Sequence, residues 1–126
     1  MVRPFLIAAV CVLLGASPAL AAGPSPYGDW SRGDGKARVK IENCGDDLCA
    51  INTWIKPGTP DEKVGDKLVM TIKEGEGGKW TGKALDPQRH MTYRFTMTVH
   101  EETMTTSGCV LGGILCKSMN WKKIDG

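Results

Sequence analysis

Cysteine is the residue type with the clearest chemical potential in this chain, because a thiol can form a disulfide, bind a metal or act as a nucleophile. Of the five cysteines, one lies in an apolar run near the start and four form two close pairs: Cys11, then Cys44 with Cys49 and Cys109 with Cys116. The spacings C-x4-C and C-x6-C depart from zinc knuckles, and the C-x-x-C redox motif is absent. We therefore expect two disulfides, with no metal and no cofactor.

The pairing of the four remaining cysteines has three solutions, of which the local one is favoured. Asp46-Asp47 lies midway between the first pair and Gly112-Gly113 lies midway between the second. Each dipeptide is predicted to centre a two-residue hairpin turn, so that each cysteine pair faces across its hairpin. Opposed residues of this kind have Cα atoms about 5.5 Å apart, which suits a disulfide.

The motifs of common enzyme classes are absent from the sequence. There is no G-x-S-x-G, H-E-x-x-H, P-loop or G-x-G-x-x-G. His90 and His100 are interpreted as surface residues, and the acidic pairs Asp46-Asp47 and Glu101-Glu102 fall where turns are expected. No catalytic residue is predicted, and an enzyme is the least supported class, although folding could still bring a histidine to a distant acid.

The first 21 residues have the features of a secretory signal peptide: Arg3, an apolar run from Phe5 to Ala16, and the small-residue site Ala19-Leu20-Ala21. That run is shorter than the roughly 20 residues of a membrane-spanning helix. Removing Arg3 leaves 15 basic against 14 acidic residues, a balance that does not favour nucleic acid. We expect a single domain over residues 22–126, periplasmic or secreted, with no membrane span and no nucleic-acid partner.

Alternation of apolar and polar residues dominates the rest of the chain. Ala37, Val39 and Ile41 alternate with charged residues, and residues 91–99 form the clearest alternating run. About eight such runs follow one another at short spacing, which predicts an all-β, antiparallel up-and-down barrel. Residues 57–66 form the longest connection, interpreted as a lid or, more simply, as a surface loop.

Several apolar side chains are predicted to face the barrel interior. Methionine and aromatic residues suit either a filled core or a cavity that holds one small ligand. The candidate ligand-binding residues are Trp54, Met70, Trp80, Tyr93, Phe95, Met97 and Met119. Trp30, two residues after Gly28, is predicted to close one end of the barrel.

A second candidate surface is the hairpin tip, residues 110–115, which is unusually apolar. Its candidate partner-binding residues are Val110, Leu111, Ile114 and Leu115. An exposed apolar tip would bind a ligand, a partner or a membrane surface. The competing interpretation, slightly favoured on sequence, is that the tip folds over one barrel end and is buried.

The order of motifs resembles the domain of unknown function 2147 family of exported bacterial proteins. The resemblance covers residues 27 to about 123 and rests on GDW, GKARVKIE, NCGDDLCAINTW, KWTGKALDP, TY and GCVLGGILCKSMNW. It implies a small periplasmic lipocalin-like barrel in Gram-negative bacteria, with no established activity and no catalytic residue. Gly28-x-Trp30 is also similar to the first lipocalin motif, in which a late basic residue covers the tryptophan; Lys122 or Lys123 would serve here.

These observations support a binding barrel for a small apolar or amphipathic ligand as the leading hypothesis. The alternatives are an envelope protein-interaction or inhibitor module that acts through the hairpin tip, and a structural role with a filled core. The protein is expected to be a monomer or a weak dimer.

Overall fold

The computed structural model describes residues 23–124 as a closed barrel of eight antiparallel strands joined in chain order, with each strand paired to the next and the last paired to the first. The all-β up-and-down prediction is confirmed, and the general shape fits a lipocalin-like barrel. The strands are β1 Gly28–Arg32, β2 Ala37–Cys44, β3 Asp47–Ile55, β4 Lys67–Glu74, β5 Lys79–Asp86, β6 Met91–Val99, β7 Thr103–Val110 and β8 Leu115–Lys123. The predicted signal peptide lies outside the described residues.

Alternation explains the barrel directly. In β2, Ala37, Val39 and Ile41 are buried while Arg38 and Lys40 between them are exposed. Because successive side chains of a strand point to opposite faces, an alternating sequence buries one row and exposes the other. Within residues 23–124 there is no helix with the length and apolar character needed to cross a membrane.

The two ends of the barrel differ in their connections. The closed end carries the turns β2–β3, β4–β5 and β6–β7, and the mouth carries the connections β1–β2, β3–β4, β5–β6 and β7–β8. At the closed end Trp30 is fully buried, and its Nε1 donates to the Pro26 carbonyl at 2.9 Å. The Lys123 ammonium lies 5.8 Å from the centre of the Trp30 ring. Trp30 thus fills the closed end, and Lys123, not Lys122, lies over its ring.

The two predicted disulfides are present, Cys44–Cys49 at the closed end and Cys109–Cys116 at the mouth. Local pairing is therefore confirmed. The second pair is directly opposed in the β7–β8 register, as predicted. In the first hairpin, however, Cys44 pairs in register with Asp47, so the Cys44–Cys49 bridge runs diagonally.

The first predicted hairpin turn was placed wrongly, and the second was centred correctly but predicted too short. The first turn is centred on Gly45-Asp46, where Gly45 takes a φ of +68° that favours glycine. The β7–β8 connection spans four residues between the paired Val110 and Leu115. Positive φ at Leu111 as well as at the two glycines after it makes this connection longer than a two-residue turn.

Candidate functional site

A cavity of about 440 Å³ opens at the mouth of the barrel. Its inner wall is formed by apolar side chains from six strands, and its rim by charged side chains of the mouth. The inner wall comprises Val39, Ile41, Ala50, Leu68, Met70, Phe95, Met97, Met104 and Trp121. The barrel interior is therefore only partly filled by its own side chains.

One side of the wall is a row across three strands. Ala50 pairs in register with Ile41 of β2 and with Leu68 of β4, and all three line the cavity. Residues opposed in this way project from the same face of the sheet. The small side chain of Ala50 leaves space between two larger neighbours.

The opposite side of the wall contains the polar contacts of the interior. Trp121 Nε1 donates to Thr106 Oγ1 at 3.0 Å, so the indole of this cavity-lining residue is hydrogen-bonded. A Cβ on Gly108 would lie 3.6 Å from the Tyr93 ring, which places the tyrosine over the glycine. The Tyr93 ring is thereby held at the upper part of the wall.

Arg32 organises one half of the rim. Its Nη2 donates to Glu62 Oε2 at 2.9 Å, Nη1 contacts the other oxygen, and Nε donates to Asp34 at 3.0 Å. The hydrogen bond from Arg32 holds the pKa of the Glu62 carboxyl below its usual value. Burial raises the pKa of Asp34, but the hydrogen bonds from Arg32 and the Lys36 amide outweigh it and lower the pKa.

Asp86 and Arg89 organise the other half of the rim. Asp86 is buried and accepts hydrogen bonds from Arg89 Nη1 at 2.9 Å and from Gln88 Nε2 at 2.8 Å. Burial raises the pKa of Asp86, but the hydrogen bonds from Gln88 and Arg89 outweigh it and lower the pKa. The bond to Asp86 in turn raises the pKa of Arg89.

Both halves of the rim hold the mouth loop, residues 56–66. Arg32 binds Glu62 of this loop, while Arg89 donates to the Asp61 carbonyl and lies 3.9 Å from the Asp66 carboxylate. The Gly65 amide also donates to the Asn52 carbonyl at 2.8 Å. Because Pro60, Asp61 and Glu62 line the cavity, the long connection predicted as a lid or surface loop forms part of the rim.

The structure brings together four of the predicted ligand-binding residues, Met70, Tyr93, Phe95 and Met97, on the cavity wall. Trp54 does not line the cavity. A bulge skips Thr53, because Val39 pairs with Asn52 and Arg38 with Trp54. This turns Trp54 to the outer face, where it is 39% exposed and lies 5.4 Å from the Arg38 guanidinium.

The other two predicted residues, Trp80 and Met119, are also absent from the cavity wall. Trp80 starts β5 at the closed end and packs against the core, with a buried Nε1 that has no hydrogen-bond partner among the described residues. Met119 lies half-buried in β8. Lys117 and Trp121, two positions before and after it, line the cavity, but Met119 does not.

The hairpin tip is exposed, contrary to the expectation that it folds over a barrel end. Leu111, Ile114 and Leu115 are 69%, 83% and 59% exposed, and Val110 is half-buried. The tip borders a shallow groove on the outer wall that also includes Lys83 and Arg94. Its glycine-rich backbone has positive φ at three successive residues, Leu111, Gly112 and Gly113.

The rim was missed by sequence reasoning, which searched for apolar ligand-binding positions. A signal was present, since charged residues occupy inward positions of alternating strands. Arg32 follows Trp30 by two residues, Asp86 follows Ala84 by two, and Lys117 precedes Trp121 by four. Glu62, Gln88 and Arg89 lie in connections and carry no such pattern.

The site offers apolar burial beneath a charged rim. Both histidines are exposed and lie outside the cavity lining. Across residues 23–124 no cluster of three or more His, Cys, Asp or Glu is arranged to hold a metal ion.

Comparison with known proteins identifies a family for this chain. No curated protein and no solved structure matches the chain. A family model described as "Uncharacterized protein conserved in bacteria (DUF2147)" matches residues 28–123, which is the whole barrel from the first strand to the last. The chain therefore belongs to the DUF2147 family.

Proposed function

We propose that this protein binds a small amphipathic or apolar molecule in the barrel cavity. The observation that carries the proposal is a cavity of about 440 Å³ with an apolar wall and a charged rim. Small-molecule sites typically have volumes of about 300–1,000 Å³, with mostly apolar walls and a few polar groups. The cavity volume falls within that range, and its lining is of the same kind.

The distribution of polarity along the barrel axis supports an amphipathic ligand. Met70, Met97 and Met104 at the inner wall are almost fully buried, whereas the ion pairs of Arg32 and Arg89 lie at the rim. An alkyl or aromatic group would replace water against the wall, which is favourable by about 25 cal/mol per Å² of apolar surface buried. A polar group of the same ligand would stay at the rim.

A periplasmic or secreted location is part of this proposal. It is supported by the two disulfides, which persist in oxidising compartments, and by the signal peptide predicted over residues 1–21. In such a compartment the protein would carry or sequester its ligand outside the cytoplasm.

The proposal is tested by filling the cavity without introducing a charge. We expect Ala50→Phe to abolish binding of the uncharged probe N-phenyl-1-naphthylamine, because the new ring would occupy the space between Ile41 and Leu68. Thr71→Phe is the matched control, since Thr71 lies exposed on the outer face of β4. Equal probe fluorescence from both folded variants would contradict the proposal. Phe95→Arg and Met97→Glu should abolish uptake as well.

A second candidate function is binding of an envelope protein through the hairpin tip. The observation that favours it is the exposure of Leu111, Ile114 and Leu115 on a connection fixed at its base by Cys109–Cys116. Lys83 and Arg94 border the adjoining groove. The partner that fits is a protein with an apolar recess flanked by acidic residues.

This second candidate is tested with a purified partner identified by photo-crosslinking from position 111. Leu111→Asp with Ile114→Asp should abolish binding, and Leu85→Asp, at an exposed apolar position of β5, should not. Retained binding by the double variant would contradict the candidate. Adsorption of the wild type to anionic vesicles, lost in the double variant, would instead assign the tip to a membrane surface.

A further inference from the structure

Lys117 is a cation on the inner side of the barrel near the mouth. It lies in β8 directly opposite Gly108, on the same inward row as Met119 and Trp121, and it lines the cavity. Because Gly108 has no side chain, nothing on the neighbouring strand β7 covers the lysine stem at this position. The ammonium group can therefore reach the upper part of the cavity.

Of the other three cations that line the cavity, Lys67 precedes the inward-facing Leu68 and so lies on the outer row of β4, and the two arginines are already engaged. All three guanidinium nitrogens of Arg32 donate to Glu62 or Asp34, and Arg89 donates to Asp86 and to the Asp61 carbonyl. Within the described part of the chain, Lys117 forms no ion pair. Glu62 is close enough for the Lys117 charge to act on it, but both oxygens of that carboxylate accept hydrogen bonds from Arg32. The three donors of Lys117 remain free for a ligand.

The surface beneath Lys117 is apolar. Trp121 lies four positions further along β8 and deeper in the cavity, a distance of about 13 Å at the usual rise of a strand. At the same levels of the barrel the wall is continued by Met104 from the adjacent strand β7 and by Phe95 and Met97 from the next strand, β6. A single alkyl chain of medium length would fill this space with its polar head beside the lysine.

We propose that the cavity selects single-chain anionic amphiphiles, with Lys117 as the residue that binds the anionic head group. This inference rests on the proposed function, since it names the ligand class of the same cavity. A carboxylate and a sulfate share the required chemistry, a negative charge with several acceptor oxygens on one alkyl chain. A neutral hydroxyl offers the lysine no charge to pair with, and a cationic head group is repelled by it.

The test compares ligands that share one chain and differ in the head group: decanoate, decyl sulfate, 1-decanol and decyltrimethylammonium. Binding is measured by calorimetry below the micelle concentration, together with NMR of methionine labelled with ¹³C at the ε-methyl. Met70, Met97 and Met104 report from the cavity wall, and Met91 reports from an exposed position outside its lining. Both anions should bind at least tenfold more tightly than the alcohol and shift the three cavity methyls.

Lys117→Gln should weaken decanoate binding about tenfold, as expected for loss of one charge-assisted contact, and leave 1-decanol binding unchanged. Lys122→Gln is the matched control, because Lys122 lies exposed on the same strand. Added salt should weaken decanoate binding to the wild type more than to Lys117→Gln.

The outcomes separate this inference from the proposed function. If decanoate and 1-decanol shift the cavity methyls with equal affinity, or if Lys117→Gln binds decanoate as the wild type does, the head-group assignment is overturned while the binding cavity stands. If Lys117→Gln fails to fold, Lys117→Arg, which keeps the charge, must retain the preference for decanoate over 1-decanol. If no ligand shifts Met70, Met97 or Met104, both proposals fail.

Discussion

The two ends of this barrel are built from the same strands but are closed in different ways. At the closed end, large side chains fill the interior: Trp30, Met104 and Val99 are almost fully buried. At the mouth, the corresponding inward positions carry charged groups such as Arg32, which binds Glu62 of the mouth loop, and Asp86, which binds Arg89. One end is therefore closed by apolar packing, and the other is bordered by ion pairs and left open.

This difference assigns stability mainly to the closed end and ligand access mainly to the mouth. Apolar burial at the closed end has no directional requirement and stabilises wherever water is excluded. Hydrogen-bonded ion pairs at the mouth keep fixed positions and leave the space beneath them unfilled. We infer that the closed end contributes most of the folding free energy and that the mouth determines which molecules reach the cavity.

The largest expected effect is that of removing the tryptophan of the closed end. Trp30→Ala should lower the free energy of unfolding by about 3–5 kcal/mol, because it leaves a cavity and removes the hydrogen bond to Pro26. Trp54→Ala removes the same side chain from the outer face, 39% exposed, and should cost about 1 kcal/mol or less. Urea unfolding measures both. If both variants lose the same free energy of unfolding, the closed end contributes no more to stability than the outer face.

A smaller effect is expected from adding a methyl group to glycines with the same backbone conformation at opposite ends. Gly78 and Gly112 have φ of +74° and +67°. A Cβ on Gly78 would overlap the Val99 carbonyl oxygen, whereas a Cβ on Gly112 meets nothing within 4 Å. Gly112→Ala should cost about 1–2 kcal/mol for the left-handed conformation alone, and Gly78→Ala should cost more. Thermal unfolding measures the stability that each variant loses. A larger loss for Gly112→Ala than for Gly78→Ala would contradict this prediction.

The smallest effect concerns pH and belongs to the mouth. Because the folded-state pKa of Glu62 lies below its ordinary value of 4.5, its pairing stabilises the protein fully above that value and is lost as pH falls through the lower folded pKa. Glu62→Gln should cost about 1 kcal/mol at neutral pH and should lose less stability than the wild type on acidification.

The measurement is urea unfolding from about pH 7 down to about pH 3. Glu101→Gln is the control, since Glu101 is exposed in the β6–β7 turn at the closed end and should leave the acid-induced loss unchanged. If the free energy of unfolding of Glu62→Gln falls with pH in parallel with that of the wild type, the mouth ion pair does not contribute to the acid-induced loss.

The barrel could be predicted from the sequence because the alternation within each strand shows which of its side chains face inward. The alternation of Ala37, Val39 and Ile41 with charged residues defines an inward face without reference to any other strand. Where a single residue interrupts the pattern, prediction fails. The bulge at Thr53 turned Trp54 outward, and no composition rule locates a bulge within an apolar run.

The rim could not be predicted in the same way because its contacts join distant parts of the chain. Arg32 binds Glu62, and Arg89 binds Asp61, so the partners are separated by 30 and 28 positions in the sequence. Only closure of the barrel brings these connections to one end. For the hairpin tip, the apolar composition of residues 110–115 left exposure and burial both open and slightly favoured burial, whereas Leu111, Ile114 and Leu115 are exposed.

Intermolecular nuclear Overhauser effects report which protein protons lie close to a bound ligand. They therefore test directly whether a ligand passes the mouth and occupies the cavity. With decanoate bound, we expect contacts from chain protons to the ε-methyls of Met70 and Met97 and to the Trp121 ring, all on the cavity wall. Contacts confined to Met91 or to the exposed side chains of Leu111 and Ile114 would place the ligand on the outer surface and contradict the account.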